Sequence, residues 1–383
     1  MRLPWSNDWV RFDRGEFSGS LGDVGTDLPL LLAMIAAAGL DGGSVFIVFG
    51  LLQIVTGLVY GLPMPMQPLK AMAVIVITGD ISASVLAGGG ISIGLVMLVL
   101  ALAGALGWLV RMIPKAVVRG VQVGLGLKLA RLSIGDYAAG DGAAGWAVAA
   151  ACFAAVLALR GNKRLPPAVP VLAAGLAWAV AKGIDGAAFS SAPGIHHPIL
   201  QPVTMADLWT GFLLLALPQL PLSLSNSVIA THQTINDLFP GRRVTVRKIG
   251  ISYAMANLFA PWLGGIPVCH GCGGLAGHHA MGGRTGGSTV IYGSLYLGAG
   301  LLLGDAAGLV VSVFPRPVLG AVLLVESLAL MMLSRDMAGE RRDFLLMLIV
   351  AVLALAAPQG FLVGMLAGLA LHAADKRLRF LGR

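Results

Sequence analysis

Residues 62–74 read LPMPMQPLKAMAV, placing three prolines, a glutamine and a lysine inside an otherwise apolar stretch. Proline removes a backbone N–H and blocks helix continuation, and lysine is expensive in hydrocarbon, so this segment is no ordinary lipid-facing helix. Broken backbone at membrane depth is tolerated where protein encloses it or where it lines a cavity. The rest of the chain supplies the membrane context. Its 383 residues are 57% hydrophobic and 11% charged, with a mean hydropathy of +0.85. Apolar runs able to cross or nearly cross a hydrocarbon core about 30 Å thick recur along its whole length. These runs lack a period of two, which excludes a membrane β-barrel and leaves an all-α polytopic membrane protein.

A net charge of +8 does not point to nucleic acid, because the basic residues are scattered between apolar segments, where they set orientation. The three cysteines, Cys152, Cys269 and Cys272, do not form a disulfide framework, and an odd count gives no redox-compartment signal. The opening MRLPWSNDWVRFDRGEF is polar and mixed in charge, so residues 1–16 read as a cytoplasmic lead-in rather than a signal peptide.

Gly, Pro and charge breaks divide the chain into fourteen segments, starting near Phe17, Ser44, Met64, Gly90, Lys115, Gly145, Pro167, Leu208, Thr245, Val268, Gly287, Pro317, Arg342 and Phe361. The third and tenth are short. With both termini cytoplasmic, Arg131, Lys182 and Arg316 fall outside, Lys70 and Lys128 fall within spans, and the remaining basic residues fall inside. The halves resemble each other. DLPLLLAMI from Asp27 matches QLPLSLSNSVI from Gln219, LPMPMQP near Pro63 answers to GIPVCHG near Pro267, and IPKAVVRG from Ile113 answers to FPRPVLG from Phe314. Seven spans per half is an odd number, so the halves insert with opposite orientation as an inverted repeat. The repeats run over 17–183 and 207–375, joined by an outer linker over 184–206 and followed by a basic cytoplasmic tail over 376–383.

Short, interrupted segments at corresponding places in two repeats point to a midplane binding site. Pro68 suits the first helical position, so a half-helix is expected from about Pro68 to Thr78, broken helix ends being anion-friendly. Its first N–H groups, from Leu69 to Ala71, then face the protein centre. The partner stretch GIPVCHGCGGLAGHHAMGGRTGG has Gly271, Gly273 and Gly274 around a second helix start, where glycine permits close ligand approach. Two facing half-helices make a cage of N–H donors suited to a small tetrahedral oxyanion. Lys70 supplies charge to such an anion or pairs with Asp23, Asp27 or Glu326. Gln67 offers amide donors or caps the freed backbone. Asn226 contacts substrate or bonds across helices, and His270 donates to the anion or packs between helices.

GSLGDVGTDLP sets Asp23 and Asp27 on one helix face with Thr26 beside them, as candidates for a coupling proton or cation. In the bland reading Asp27 caps a helix broken at Pro29 and Asp23 pairs with a lysine. Cys269 and Cys272 do not assure a four-ligand site, so neither metal nor cofactor is expected. Ser225 with His232 is the one weak candidate for a nucleophile and base, and no enzyme is expected.

GSLGDVGTDLPLLLAM, PMPMQPLKAMAV, PLSLSNSVIATHQTINDLFP and GGIPVCHGCGGLAGHHAMGGRTGG together resemble the molybdate transporter family, relatives of sulfate permeases. The resemblance implies a seven-plus-seven fold in which spans one to four and eight to eleven form a core moving against a gate of spans five to seven and twelve to fourteen. It implies a secondary-active transporter in the plasma membrane, taking up molybdate by alternating access, with sulfate as the alternative substrate and a passive anion channel as the alternative class. A cytoplasm negative inside opposes anion uptake, so a coupled proton through Asp23 is expected. A homodimer is compatible with this arrangement. Cys269, Cys272, His278 and His279 receive no role.

Overall fold

The computed structural model describes residues 9–108, 113–159, 168–181, 196–303 and 315–378. The beginning of the lead-in, Lys182, the first part of the linker up to residue 195 and tail residues 379–383 lie outside the described residues, as does the Glu326 side chain.

A helix stands at each predicted place. The first half holds α1 (Arg14–Ala38), α2 (Gly42–Tyr60), strand β1 (Met66–Pro68), α3 (Lys70–Ile77), α4 (Ala83–Leu102), α5 (Lys115–Leu132), α6 (Gly142–Ala158) and α7 (Ala168–Ala181). The second half holds α8 (Met205–Leu238), α9 (Val246–Phe259), β2 (Val268–His270), α10 (Cys272–Ala280), α11 (Gly287–Leu303), α12 (Arg316–Met332), α13 (Arg341–Ala356) and α14 (Gly360–Leu378). Among the described residues α1, α2, α4, α8 and α12 with its extension to Met337 are long and apolar enough to cross a membrane.

Three boundaries differ from the sequence expectation. The fourth helix begins at Ala83 rather than near Gly90, because Ser82 caps it by accepting from Val85 N–H. The Gly88 and Gly89 backbone lies against Asp207, Gly211 and Leu215 of α8, so these glycines serve close packing rather than a break. The first helix is interrupted at residues 21–23 and not at Pro29, which sits inside the stretch Val24–Ala38. Pro68 does not open the half-helix. It pairs with Val268 in a strand, Leu69 is extended, and α3 starts at Lys70.

The helices sort into two packing groups. In one, α2 lies along α11, and α4 lies against α8 and α9; in the other, α5 packs on α12 and α13, with α6 against α12 and α14 against α13. The α2–α11 seam is lined by small residues, with Gly50 meeting Gly293 and Gly57 meeting Gly286 backbone to backbone. In a membrane, where lipid is as apolar as a side chain, such close approach is the main source of helix association.

The loops divide between two faces. On one face Trp9 Nε1 donates to Leu58 O, Glu16 accepts from the amides of Arg284, Thr285 and Ser288, and Arg242 lies over Trp9. On the other, His196 pairs with Asp41 at 2.7 Å, Ile199 N–H donates to Ser44 Oγ, and Gln201 N–H donates to Trp262 O. The lead-in, the α2–β1 turn, the α8–α9 loop and the α10–α11 loop therefore share a face opposite the α1–α2 turn and the linker.

Candidate functional site

β1 and β2 pair antiparallel at the centre, with Met66 opposite His270, Gln67 opposite Cys269 and Pro68 opposite Val268. Each strand is held by an amide side chain from the preceding helix. Gln53 Nε2 donates to Met66 O at 2.6 Å while Gln53 Oε1 accepts from Met66 N–H at 2.9 Å. Asn257 repeats this on Val268, at 2.6 and 2.9 Å. Both clamps are buried, where an unpaired strand N–H or C=O is costly.

Between the strands, the half-helix starts and the second packing group lies a cavity of about 190 Å³, lined by Gln67, Lys70, Asn226, Ser227, Cys269, Cys272 and Gly273 from one side and Gln122, Ala329, Leu330 and Leu333 from the other, with Gln219 and Leu222 of α8 completing it. Among the described lining residues there is no Asp or Glu.

Three of the four amides around it, Gln219, Gln122 and Asn226, are oriented by their oxygens. Gln219 Oε1 accepts from Ala71 and Met72 N–H at 2.9 and 3.3 Å. Gln122 Oε1 accepts from Arg119 Nη1 at 2.9 Å, and Asn226 Oδ1 accepts from the Cys272 thiol at 3.1 Å. With each acceptor engaged inside the protein, an NH₂ group is what each amide has left for the cavity; one hydrogen of Gln219 goes to Ser223 Oγ. Together with the Lys70 ammonium these put donors around most of the cavity, while Gln67, whose Nε2 is held by Asp23, has its oxygen left.

The expected cage of backbone amides is altered at α3. Leu69 N–H donates to Pro267 O at 3.1 Å, and Gln219 takes Ala71 and Met72. Pro68 and Leu69 thus support the site rather than line it. His270 turns away from the cavity: its Nε2 meets Ser252 Oγ at 2.7 Å and its ring packs edge-on to Tyr60, which is the helix-packing alternative. Strand alternation explains the reversal, since Cys269 faces the cavity and its neighbours must face the other way. Gly273 has no atom within 4 Å of where a Cβ would stand, whereas a Cβ on Gly271 would fall onto Gln67 Oε1 and one on Gly274 would fall onto Asp23 Oδ2.

Asp23 is held by Gln67, whose Nε2 donates to both carboxylate oxygens at 2.8 Å. Asp27 Oδ2 accepts from Tyr292 OH at 3.0 Å, and Thr26 lies half-buried between the two. Ser225 donates to Pro221 O and His232 meets Asn236, so the weak nucleophile and base candidates have separate partners. Gln122 and Gln219 escaped sequence reading. Gln219 had a signal, since it aligns with Asp27 in the repeat; Gln122 was one uncharged amide in a span.

A family profile described as "Molybdate transporter of MFS superfamily" matches residues 15–129 and 211–330. Molybdate transporter 2 of Arabidopsis thaliana is 33% identical over 88% of this chain and 82% of its own length. Molybdate transporter 1 of the same plant is 32% identical over 91% of this chain and 86% of its own. The fold matches the transmembrane domain of a cyanobacterial bicarbonate transporter at TM-score 0.68 and 18% identity, covering 94% of this chain and 98% of that one. The murine Slc26a9 anion transporter in its inward-facing state matches at TM-score 0.70 and 14% identity, covering 97% and 70%. The fold is that of these transmembrane domains, a helical inverted repeat. Clamped strands, donor-lined cavity and sequence kinship converge on one conclusion: the chain belongs to the molybdate transporter family, whose members are membrane transporters and not enzymes.

Proposed function

We propose that this protein takes up molybdate across the plasma membrane by secondary-active transport, with both termini cytoplasmic. The observation that carries the proposal is the cavity whose amide oxygens are all turned inward at Gln122, Gln219 and Asn226, so that NH₂ groups and Lys70 meet the ligand, with no carboxylate among the described lining residues to repel it. A tetrahedral dianion has four acceptor oxygens and no donor, which matches that surface. Because lining residues come from both packing groups, a rocking of α5 and α12 against the half-helices opens the cavity to alternate sides.

Coupling to a proton runs through Asp23. Its carboxylate holds Gln67, which borders the cavity, so protonation removes an acceptor from that bidentate contact and changes the amide beside the anion. The coupled proton then offsets part of the dianion's charge, and uptake driven by the proton gradient follows from one linkage.

The test is calorimetric titration of the purified protein in detergent with molybdate, followed by tungstate, sulfate and uracil as competitors. Molybdate binding displaced by tungstate, and lost in Lys70→Ala, supports the reading; equal binding of sulfate changes the substrate, and an absence of oxyanion binding ends it. A proton dependence of uptake that survives Asp23→Asn removes Asp23 from the coupling role.

A further inference from the structure

A second cavity, of about 280 Å³, lies between the start of α5 and the middle of α8, lined by Ile113, Lys115, Val118, Arg119, Pro221, Leu224, Ser225 and Ile229. It belongs to the face that carries the lead-in, because Leu106, in the turn ahead of α5, packs on Gly250 at the start of α9. Two cations border this cavity, and both are bound to one carboxylate. Arg119 Nε donates to Asp336 Oδ1 and Oδ2 at 3.1 and 3.2 Å, and Arg119 Nη2 donates to Oδ2 at 2.7 Å. Lys115 Nζ lies 2.8 Å from the same Oδ2. The remaining guanidinium nitrogen, Nη1, holds Gln122 of the central cavity.

We propose that Lys115 and Arg119 form an inner oxyanion station on the exit path, which Asp336 occupies as a built-in competitor. The proposal rests on the reading of the central cavity as an oxyanion site. Asp336 itself demonstrates the chemistry: an oxyanion with two oxygens seats on the guanidinium fork and the ammonium together, and a tetrahedral oxyanion presents the same pair of oxygens to the same donors. Two cations against one carboxylate leave one positive charge at the mouth of the cavity. Lys115 is 62% exposed and Asp336 33% exposed, so both are reached from solvent. An anion leaving the central site exchanges onto Lys115 and Arg119 as Asp336 swings off, and the return of Asp336 expels it. The carboxylate thereby keeps the inner station weak and release fast.

The experiment measures molybdate titration by calorimetry, and uptake into proteoliposomes preloaded with molybdate, for wild type, Asp336→Asn, Lys115→Gln and the double variant. Asp336→Asn is expected to bind a second molybdate per chain and to be inhibited by internal molybdate about tenfold more strongly, a change equivalent to about 1.4 kcal/mol. Adding Lys115→Gln removes both gains. Lys115→Gln alone, at an exposed position, weakens internal inhibition about threefold and leaves the central affinity unchanged. Should Asp336→Asn fail to fold, this last comparison decides.

Unchanged stoichiometry and unchanged internal inhibition in Asp336→Asn overturn the station while leaving the central site intact. Binding in Asp336→Asn that depends on Lys115, with none in wild type, supports the station and removes the central site. No binding in any of the four proteins ends both.

Discussion

At α3 the first turn is closed, with Gln219 across the amides of Ala71 and Met72 and Pro267 on that of Leu69, whereas at α10 the corresponding turn is Cys-Gly-Gly and Gly273 opens onto the cavity. The two half-helix starts share their scaffold, the Gln53 and Asn257 clamps on paired strands, and differ in what the first turn is used for. One half-helix is tied off and contributes a charged side chain. The other leaves its surface bare and contributes room. An inverted repeat thus gives two equivalent frames, and the site arises from the places where equivalence was abandoned.

A substitution at Gly271 breaks this comparison most strongly. Gly271→Ala drives a methyl onto Gln67, and overpacking of about 1–3 kcal/mol predicts molybdate affinity lowered roughly 5- to 150-fold in titration. A change of Gly271→Ala that left affinity intact would show that Gln67 is dispensable there. Next come the clamps. Gln53→Ala and Asn257→Ala each strand a buried N–H and C=O, and each should lose about 1–3 kcal/mol of stability by thermal unfolding in detergent. Similar losses uphold the shared scaffold, and a loss confined to one clamp assigns the load to one repeat.

Smaller is Gly273→Ala, which enters open space and favours helix by about 1 kcal/mol. It should keep the unfolding temperature while weakening the larger molybdate about two- to fivefold more than sulfate in competition. Smallest is the acid response of the linker face. Partial burial pushes the Asp41 carboxyl up, but hydrogen bonds from Ser44 and His196 outweigh it and hold it below the ordinary 3.8. A lowered folded value means the contribution is present above pH 3.8 and disappears as pH falls through the folded value. Asp41→Asn should therefore cost under about 1 kcal/mol at neutral pH, with the gap to wild type closing below pH of about 3.8.

Apolar run length and the prolines at 63, 65 and 68 made the helices and both interruptions legible, because hydrocarbon penalises exposed backbone so heavily that little else fits. The donor pattern of the site was less accessible. Residues 66–68 and 268–270 are too short to carry a strand period, and only their pairing reveals that Gln67 and Cys269 share a face that His270 cannot reach. Likewise an amide reads the same in sequence whichever end is engaged. Which end of Gln122 or Asn226 is left for the cavity is decided by Arg119 and Cys272, partners brought near by folding.

The Gln219 cap also places a demand on biogenesis. Its oxygen serves amides made 148 residues earlier, and at about 5–20 residues per second a ribosome takes roughly 7–30 s to supply it. For that interval the nascent α3, eight residues long with a lysine at its head, has neither its cap nor its partner strand. The insertion machinery must shelter it near water until the second repeat arrives, so the first half cannot be released to lipid as a finished unit.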